Sequence, residues 1–109
     1  MKEEKLVTEI KAILEDKKAE DVVAVDVSDR TPFSDYYVIA TAPNERAMEA
    51  TAQALEDGLW EKEQIETKKE GQLESGWIVV DCGRVLVSIF TAEMRAHYQF
   101  DDLFKIAKA

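Results

Sequence analysis

The stretch that most constrains this chain is Trp77-Ile78-Val79-Val80-Asp81-Cys82-Gly83-Arg84-Val85-Leu86-Val87-Ser88-Ile89-Phe90. Two apolar runs joined by two residues, the second a glycine, are the pattern of an antiparallel β-hairpin. With Cys82-Gly83 as the loop, Asp81 is expected opposite Arg84, Val79 opposite Leu86 and Trp77 opposite Ser88. Side chains alternate across a strand, so one face carries Ile78, Val80, Val85, Val87 and Ile89. That face must be core. The other carries Trp77, Val79, Leu86 and Phe90, interrupted by Ser88 and edged by Asp81 and Arg84. An aromatic group among aliphatics with a charged rim is how protein-binding hot spots are composed. The same composition also suits a face covered by a helix of the same chain, and both readings stand.

Around the hairpin the sequence supplies helices and further strands. Glu4 to Lys18 has Leu6, Val7, Ile10, Ile13 and Leu14 at three- and four-residue spacing, the apolar stripe of a helix. Glu3 and Glu4 open that segment and Lys17-Lys18 close it, as the helix dipole favours. Asp21-Val22-Val23-Ala24-Val25-Asp26-Val27 is β-branched and nearly apolar on both sides, which predicts a central strand covered on two faces. Ser28-Asp29-Arg30 predicts a turn and Pro32 an extended stretch. A second strand is expected over Tyr36–Thr41. Asn44 then caps a helix of about 18 residues ending near Glu61, with Met48, Ala52, Leu55 and Leu59 inward. Gly58 inside it costs about 1 kcal/mol against alanine and predicts a frayed last turn. Ile65 and its neighbours suit a short edge strand. Thr91 is placed to cap a short helix through Tyr98, and Asp101 to begin a last one carrying Leu103, Phe104 and Ile106. This order predicts a single α/β (α+β) domain over residues 1–109, a mixed β-sheet of four to five strands with helices packed on it.

Charge and composition narrow the function. With 109 residues the chain has room for one core. Its 14 basic and 23 acidic residues give a net charge of −9, so its average surface repels phosphate backbones. Broad nucleic-acid binding is therefore not expected, and a basic protein partner is better matched. No apolar run approaches the roughly 18 residues of a membrane span. The start, Met1-Lys2-Glu3-Glu4-Lys5, leads into an amphipathic segment rather than a signal-peptide core, and cytoplasmic location is the expectation. The single cysteine, Cys82, has no internal partner, and with the single histidine, His97, it makes no zinc set.

The hairpin, followed by Arg95 and Tyr98, resembles the Iojap/YbeB family, the ribosomal silencing factors. That family's pattern reads W-x-x-x-D-x-G, an aliphatic strand, a terminal I-F or V-F, then R-x-x-Y. Leu14-Glu15-Asp16-Lys17-Lys18-Ala19-Glu20-Asp21-Val22-Val23 is similar to its first helix-to-strand junction, and Ser34-Asp35-Tyr36-Tyr37-Val38-Ile39-Ala40-Thr41 to its second strand. The resemblance spans about residues 6–104. It implies a nucleotidyltransferase-like fold, no cofactor, frequent homodimers, and docking on a large-subunit ribosomal protein of the uL-fourteen type. Docking at the intersubunit face would block subunit joining and repress translation under nutrient limitation. Carried over residue by residue, Trp77, Asp81, Arg95 and Tyr98 match the pattern and are the expected docking residues, with Val79, Leu86 and Phe90 supplying apolar area. Ser88 stands where the family usually has histidine, Phe104 where it has tryptophan, His97 where tyrosine or phenylalanine is common, and Arg84 where an acid is frequent.

Two other functions are weighed. A nucleotidyltransferase needs a glycine-serine turn for triphosphate and paired carboxylates for Mg²⁺. Asp26, Asp29 and Asp35 are the acidic candidates, but no Gly-Ser or Asp-x-Asp pair accompanies them, so no enzyme activity is expected. A self-associating module without a ribosomal role is the third reading, since exposed apolar surface also suits a two-fold contact.

Overall fold

The structure, a computed structural model, describes residues 2–29, 32, 34–72 and 75–97. Its elements are α1 (Lys2–Asp16), β1 (Glu20–Asp26), β2 (Tyr36–Ala42), α2 (Glu45–Glu63), β3 (Lys68–Gln72), β4 (Trp77–Asp81), β5 (Val85–Thr91) and α3 (Ala92–His97). The five strands form one mixed sheet in the order β1-β2-β5-β4-β3. Only β2 and β5 run parallel, side by side at the centre, and every other neighbouring pair is antiparallel. The helix expected from Asp101 lies outside the described residues.

Local chemistry sets the boundaries. Helix α1 ends two residues before the expected Lys18, because Lys18 takes a left-handed φ of 63° and the Ala19 amide donates to the Leu14 carbonyl at 3.0 Å. That i to i−5 bond closes the helix end. Asn44 caps α2 as expected, its Oδ1 accepting from the Ala47 amide at 2.8 Å. Helix α2 does not fray at Gly58 but runs to Glu63, where Gln64 caps it in the left-handed conformation at φ 57°. Gly58 faces α1: a Cβ there would stand 2.8 Å from Ile13 Cδ1, the free end of a side chain that would have to turn aside.

Both long helices lie on one face of the sheet. Val7, Ile10 and Leu14 of α1 and Met48, Ala52, Leu55 and Leu59 of α2 pack on Val38, Ala40, Ile78, Val80, Val85, Val87 and Ile89. All of these are buried. The aliphatic face assigned to the hairpin is therefore core.

Two expectations about the strands are also corrected. Strand β1 is an edge strand rather than a central one, with four half-buried residues, Val22–Val25, flanked by exposed ones. Its apolar run is covered by helices on one side only, and Val23 and Val25 lie on the other. The hairpin register is also shifted. Asp81 pairs with Leu86, Val79 with Ser88 and Trp77 with Phe90, so the two-residue loop is Gly83-Arg84. The Cys82 amide donates to the Val85 carbonyl at 2.9 Å to close it. Gly83 adopts φ 88°, a positive value at the first loop position that favours glycine in tight hairpins. The shift is two residues, so each side chain keeps its face and only its neighbours change.

Candidate functional site

The second face of the sheet has a different cover. The register places Val23 and Val25 of β1, Tyr37, Ile39 and Thr41 of β2, Leu86, Ser88 and Phe90 of β5, and Trp77, Val79 and Asp81 of β4 on it. Among the described elements, only α3 packs here, through Met94, which like Trp77 packs against the pair Ile39 and Phe90. Toward the α3 end, Phe90 is 0% exposed, Ile39 5% and Thr41 6%. Away from it, Val23, Val25, Tyr37, Leu86 and Val79 are half-buried.

The aromatic pair marks the transition between these regions. Trp77 and Phe90 are directly paired across the hairpin and stack with ring centroids 5.1 Å apart and planes inclined 23°. Trp77 is half-buried and sits beside Phe90 on β4, in the row at the α3 end of the face. Phe90 is sealed. Its expected place on a docking surface is corrected: Trp77 and Met94 pack on it, so it supports the tryptophan instead of meeting a partner.

Helix α3 is held by two local devices. Thr91 Oγ1 accepts from the Met94 amide at 3.2 Å, the cap expected from sequence. Gly76, at φ 72°, lies so close beneath α3 that a Cβ would stand 2.9 Å from Thr91 Oγ1 and 3.2 Å from Met94 Cβ. Arg95 then reaches across the sheet. Its Nη1 donates to Thr41 Oγ1 at 2.9 Å and to the Asp21 carbonyl at 3.5 Å. Burial lowers the guanidinium's pKa, while the Asp21 charge opposes the shift. Arg95 therefore fastens α3 to β1 and β2 at the margin of the face. Tyr98 lies outside the described residues, as does the side chain of His97.

The charged rim is reorganised relative to expectation. Asp81 is exposed at the hairpin tip, and its Oδ1 accepts from the Gly83 amide at 2.9 Å. Arg84 does not face Asp81. It grips Asp35 with two bonds, Nη2 to Oδ1 at 2.9 Å and Nε to Oδ2 at 3.3 Å, and donates from Nη1 to the Pro32 carbonyl at 2.8 Å. This fork ties the β1–β2 connection to the hairpin. Of the acids weighed for metal chemistry, Asp35 is thus paired with an arginine. Asp26 accepts from the Ser28 amide and hydroxyl, at 2.9 and 2.7 Å. The hydroxyl, then the amide, holds its carboxyl below the usual range. Among the described residues, no group of three potential metal-ligating side chains converges. Cys82 is buried at the hairpin's end, and its thiol is pushed up to about 12, first by burial and then by the charges of Asp81 and Glu56. A thiol so disposed is a poor nucleophile at neutral pH.

The structure brings Trp77, Val79, Asp81 and Leu86 together on β4 and β5, with Arg95 at their margin. Sequence reasoning missed Val23, Val25 and Tyr37, which extend the apolar face across β1 and β2. The period-two alternation was visible in both strands. Which of their two faces joins that of the hairpin depends on the β2–β5 register, and no local signal carries it.

A five-stranded mixed sheet with two helices on one face and a half-open surface holding Trp77 on the other defines a small α+β domain. The chain belongs to the ribosomal silencing factor family: the sequence profile described as "Ribosomal silencing factor during starvation" matches residues 1–109. A ribosomal silencing factor of Bacillus subtilis is 31% identical over 93 residues, covering 85% of this chain and 79% of that protein. One from Treponema pallidum is 38% identical over 95 residues, covering 83% and 81%. The fold is similar to crystal structures of a protein from Chromobacterium violaceum (TM-score 0.85, 25% identity, 94% of this chain and 85% of that one) and one from Bacillus halodurans (TM-score 0.82, 30% identity, 92% and 93%). The family's name is that of a ribosome-associated regulator, not of an enzyme. No helix among the described residues is long and apolar enough to cross a membrane.

Proposed function

We infer that this protein represses translation by docking its half-open sheet face on the large ribosomal subunit and sterically blocking the small subunit from joining. The observation that carries this reading is the contrast between the faces of the hairpin: Trp77, Val79 and Leu86 stay half-buried while Ile78, Val80, Val85, Val87 and Ile89 on the opposite side are sealed. The partner is a basic large-subunit ribosomal protein, of the uL-fourteen type, at the intersubunit surface. A net charge of −9 suits such a partner and opposes direct gripping of ribosomal RNA. Trp77 is the central anchor, Val79 and Leu86 supply surrounding apolar area, and Asp81 meets the partner's positive charge at the rim. Arg95 holds α3 in place beside them, and Tyr98 belongs to the same surface through the family motif. No bond is made or broken, and occupancy alone inhibits. The protein acts in the cytoplasm, and it forms a homodimer in solution.

Sedimentation with separated subunits tests the reading. The protein is expected to travel with large subunits and to lower their joining to small subunits in a purified system. Leu86→Asp, which puts a charge into the half-open face, should abolish both effects in a protein that still folds. Retained blockade by the folded variant overturns the proposed surface. Light scattering that finds only monomer at high concentration removes the homodimer.

A further inference from the structure

We propose that a recess on the outer side of α2, built around Trp60, is a second docking site, and that it takes an arginine side chain from a basic protein segment. Trp60 is 50% exposed and is the one large apolar side chain fully on the surface among the described residues. It lies far from the face described above, on the opposite side of the sheet, where α2 covers the core. Its exposure is not needed for folding, since Met48, Ala52, Leu55 and Leu59 form the buried stripe of that helix.

The indole lines an open recess of about 540 Å³ between the outer side of α2 and the segment leading into β3. Asp57, one turn earlier on α2, lines it with Trp60, as do Glu56, Glu66 and Lys68, three acidic side chains against one basic one. Asp57 and Glu66 are exposed. Glu56 is already engaged, accepting from Thr67 Oγ1 at 3.4 Å and facing Lys69 Nζ at 3.7 Å. Asp57 accepts from Gln53 Nε2 at 3.0 Å, which holds the carboxylate in place at the recess. Ile65 turns inward onto the core just past the α2 cap and anchors the wall that carries Glu66.

This combination selects its occupant. A flat π-face next to two carboxylates matches a guanidinium, which stacks on indole while donating hydrogen bonds in its own plane. A lysine ammonium gains less from the same surface, because it is a compact, strongly hydrated charge. The carboxylates repel nucleic acid and anionic membrane. A second copy of this chain would bring another −9 to the contact. A cationic protein segment is the occupant that charge favours. The site does not depend on the sheet-face reading and persists if that reading fails.

The test uses the full chain and a fluorescein-labelled hexa-arginine peptide as probe, followed by anisotropy and by the two tryptophan indole N–H signals in a ¹⁵N spectrum. The Trp60 signal, assigned through Trp60→Phe, should shift on titration while that of Trp77 stays. Trp60→Ala should weaken peptide binding at least tenfold, and Asp57→Asn with Glu66→Gln about as much. Glu49→Gln, exposed on α2 about three turns before Trp60 and not lining the recess, should leave it within twofold. Hexa-lysine should bind several-fold more weakly than hexa-arginine. Equal binding of the two peptides, an unshifted Trp60 signal, or equal losses from Glu49→Gln would reduce the effect to diffuse charge and overturn the proposal. A dimer that Trp60→Ala converts to monomer, with no peptide binding, would assign the recess to a second copy and overturn it too.

Discussion

The two faces of the central sheet both carry apolar side chains on β1, β2, β4 and β5, but the second is interrupted by Thr41, Ser88 and Asp81, and the two meet different fates. On the helix side, Val85, Val87 and Ile89 of β5 are all 0% exposed beneath α1 and α2. On the other side of the same strand, Leu86 and Ser88 stay half-buried, and Phe90 alone is sealed. A strand's composition therefore does not decide what it does; the cover does. Helix α3 has six residues and shields one end of the face, whereas the 15 and 19 residues of α1 and α2 shield a whole side. Apolar surface left half-open in this way is available to a partner.

The contrast can be broken by mutation, and the largest effect is expected at its boundary. Phe90→Ala should cost about 3–5 kcal/mol of stability in urea unfolding, the usual range for a sealed aromatic, whereas Leu86→Ala should cost less than half as much. Equal costs would mean that the second face is as closed as the first. Next comes Trp77→Ala, expected to weaken large-subunit binding by about 2 kcal/mol or more, as at an interface anchor. Because Trp77 stacks on Phe90, the variant should also lose some stability. A stability loss matching that of Phe90→Ala, with binding per folded molecule unchanged, would make Trp77 core and not contact.

A third effect tests the sealed side by pH. The Cys82 thiol is raised to about 12 in the folded protein from an ordinary value near 9.0. Above pH 9 the unfolded chain loses this proton while the folded one keeps it, so the stabilisation is full below about 9 and is lost toward 12. The slope approaches about 1.4 kcal/mol per pH unit. Cys82→Ala should flatten that part of the curve, and native Cys82 should resist alkylation at pH 8. Rapid native alkylation would show the hairpin end to be open. The smallest effect belongs to the exposed clasp: Asp35→Asn should cost about 1 kcal/mol or less and lose its effect in high salt, although the pair is bidentate.

What the sequence made legible follows from the period of its elements. Alternation assigned every hairpin residue to the correct face, even though the loop lies one residue later than expected. A two-residue error in pairing leaves facing untouched. It does change neighbours: Trp77 was expected beside Ser88, and its actual partner Phe90 gives it the stacked support that shapes the site. Strand β1 was misplaced for a related reason. An uninterrupted Val22–Val25 run looks central, but whether both sides are covered depends on strand order and not on composition. Arg95 was visible as a motif residue, yet its work on Thr41, 54 positions earlier, was not, because such a pairing leaves no local trace. Phe90's burial was foreseen only as the covered-face alternative, because alternation gives a side and says nothing about what lies over it.

The parallel pairing at the heart of the sheet also sets a timetable for synthesis. Strand β2 is complete at Ala42, but its inner neighbour β5 begins only at Val85. Until that stretch leaves the translating ribosome, the first half of the chain holds an antiparallel pair in which the inner edge of β2 also lacks its neighbour. The long-range closure that completes the sheet thus waits for the emergence of β5, more than forty residues after β2, and the half-open face on β4 and β5 cannot form before it.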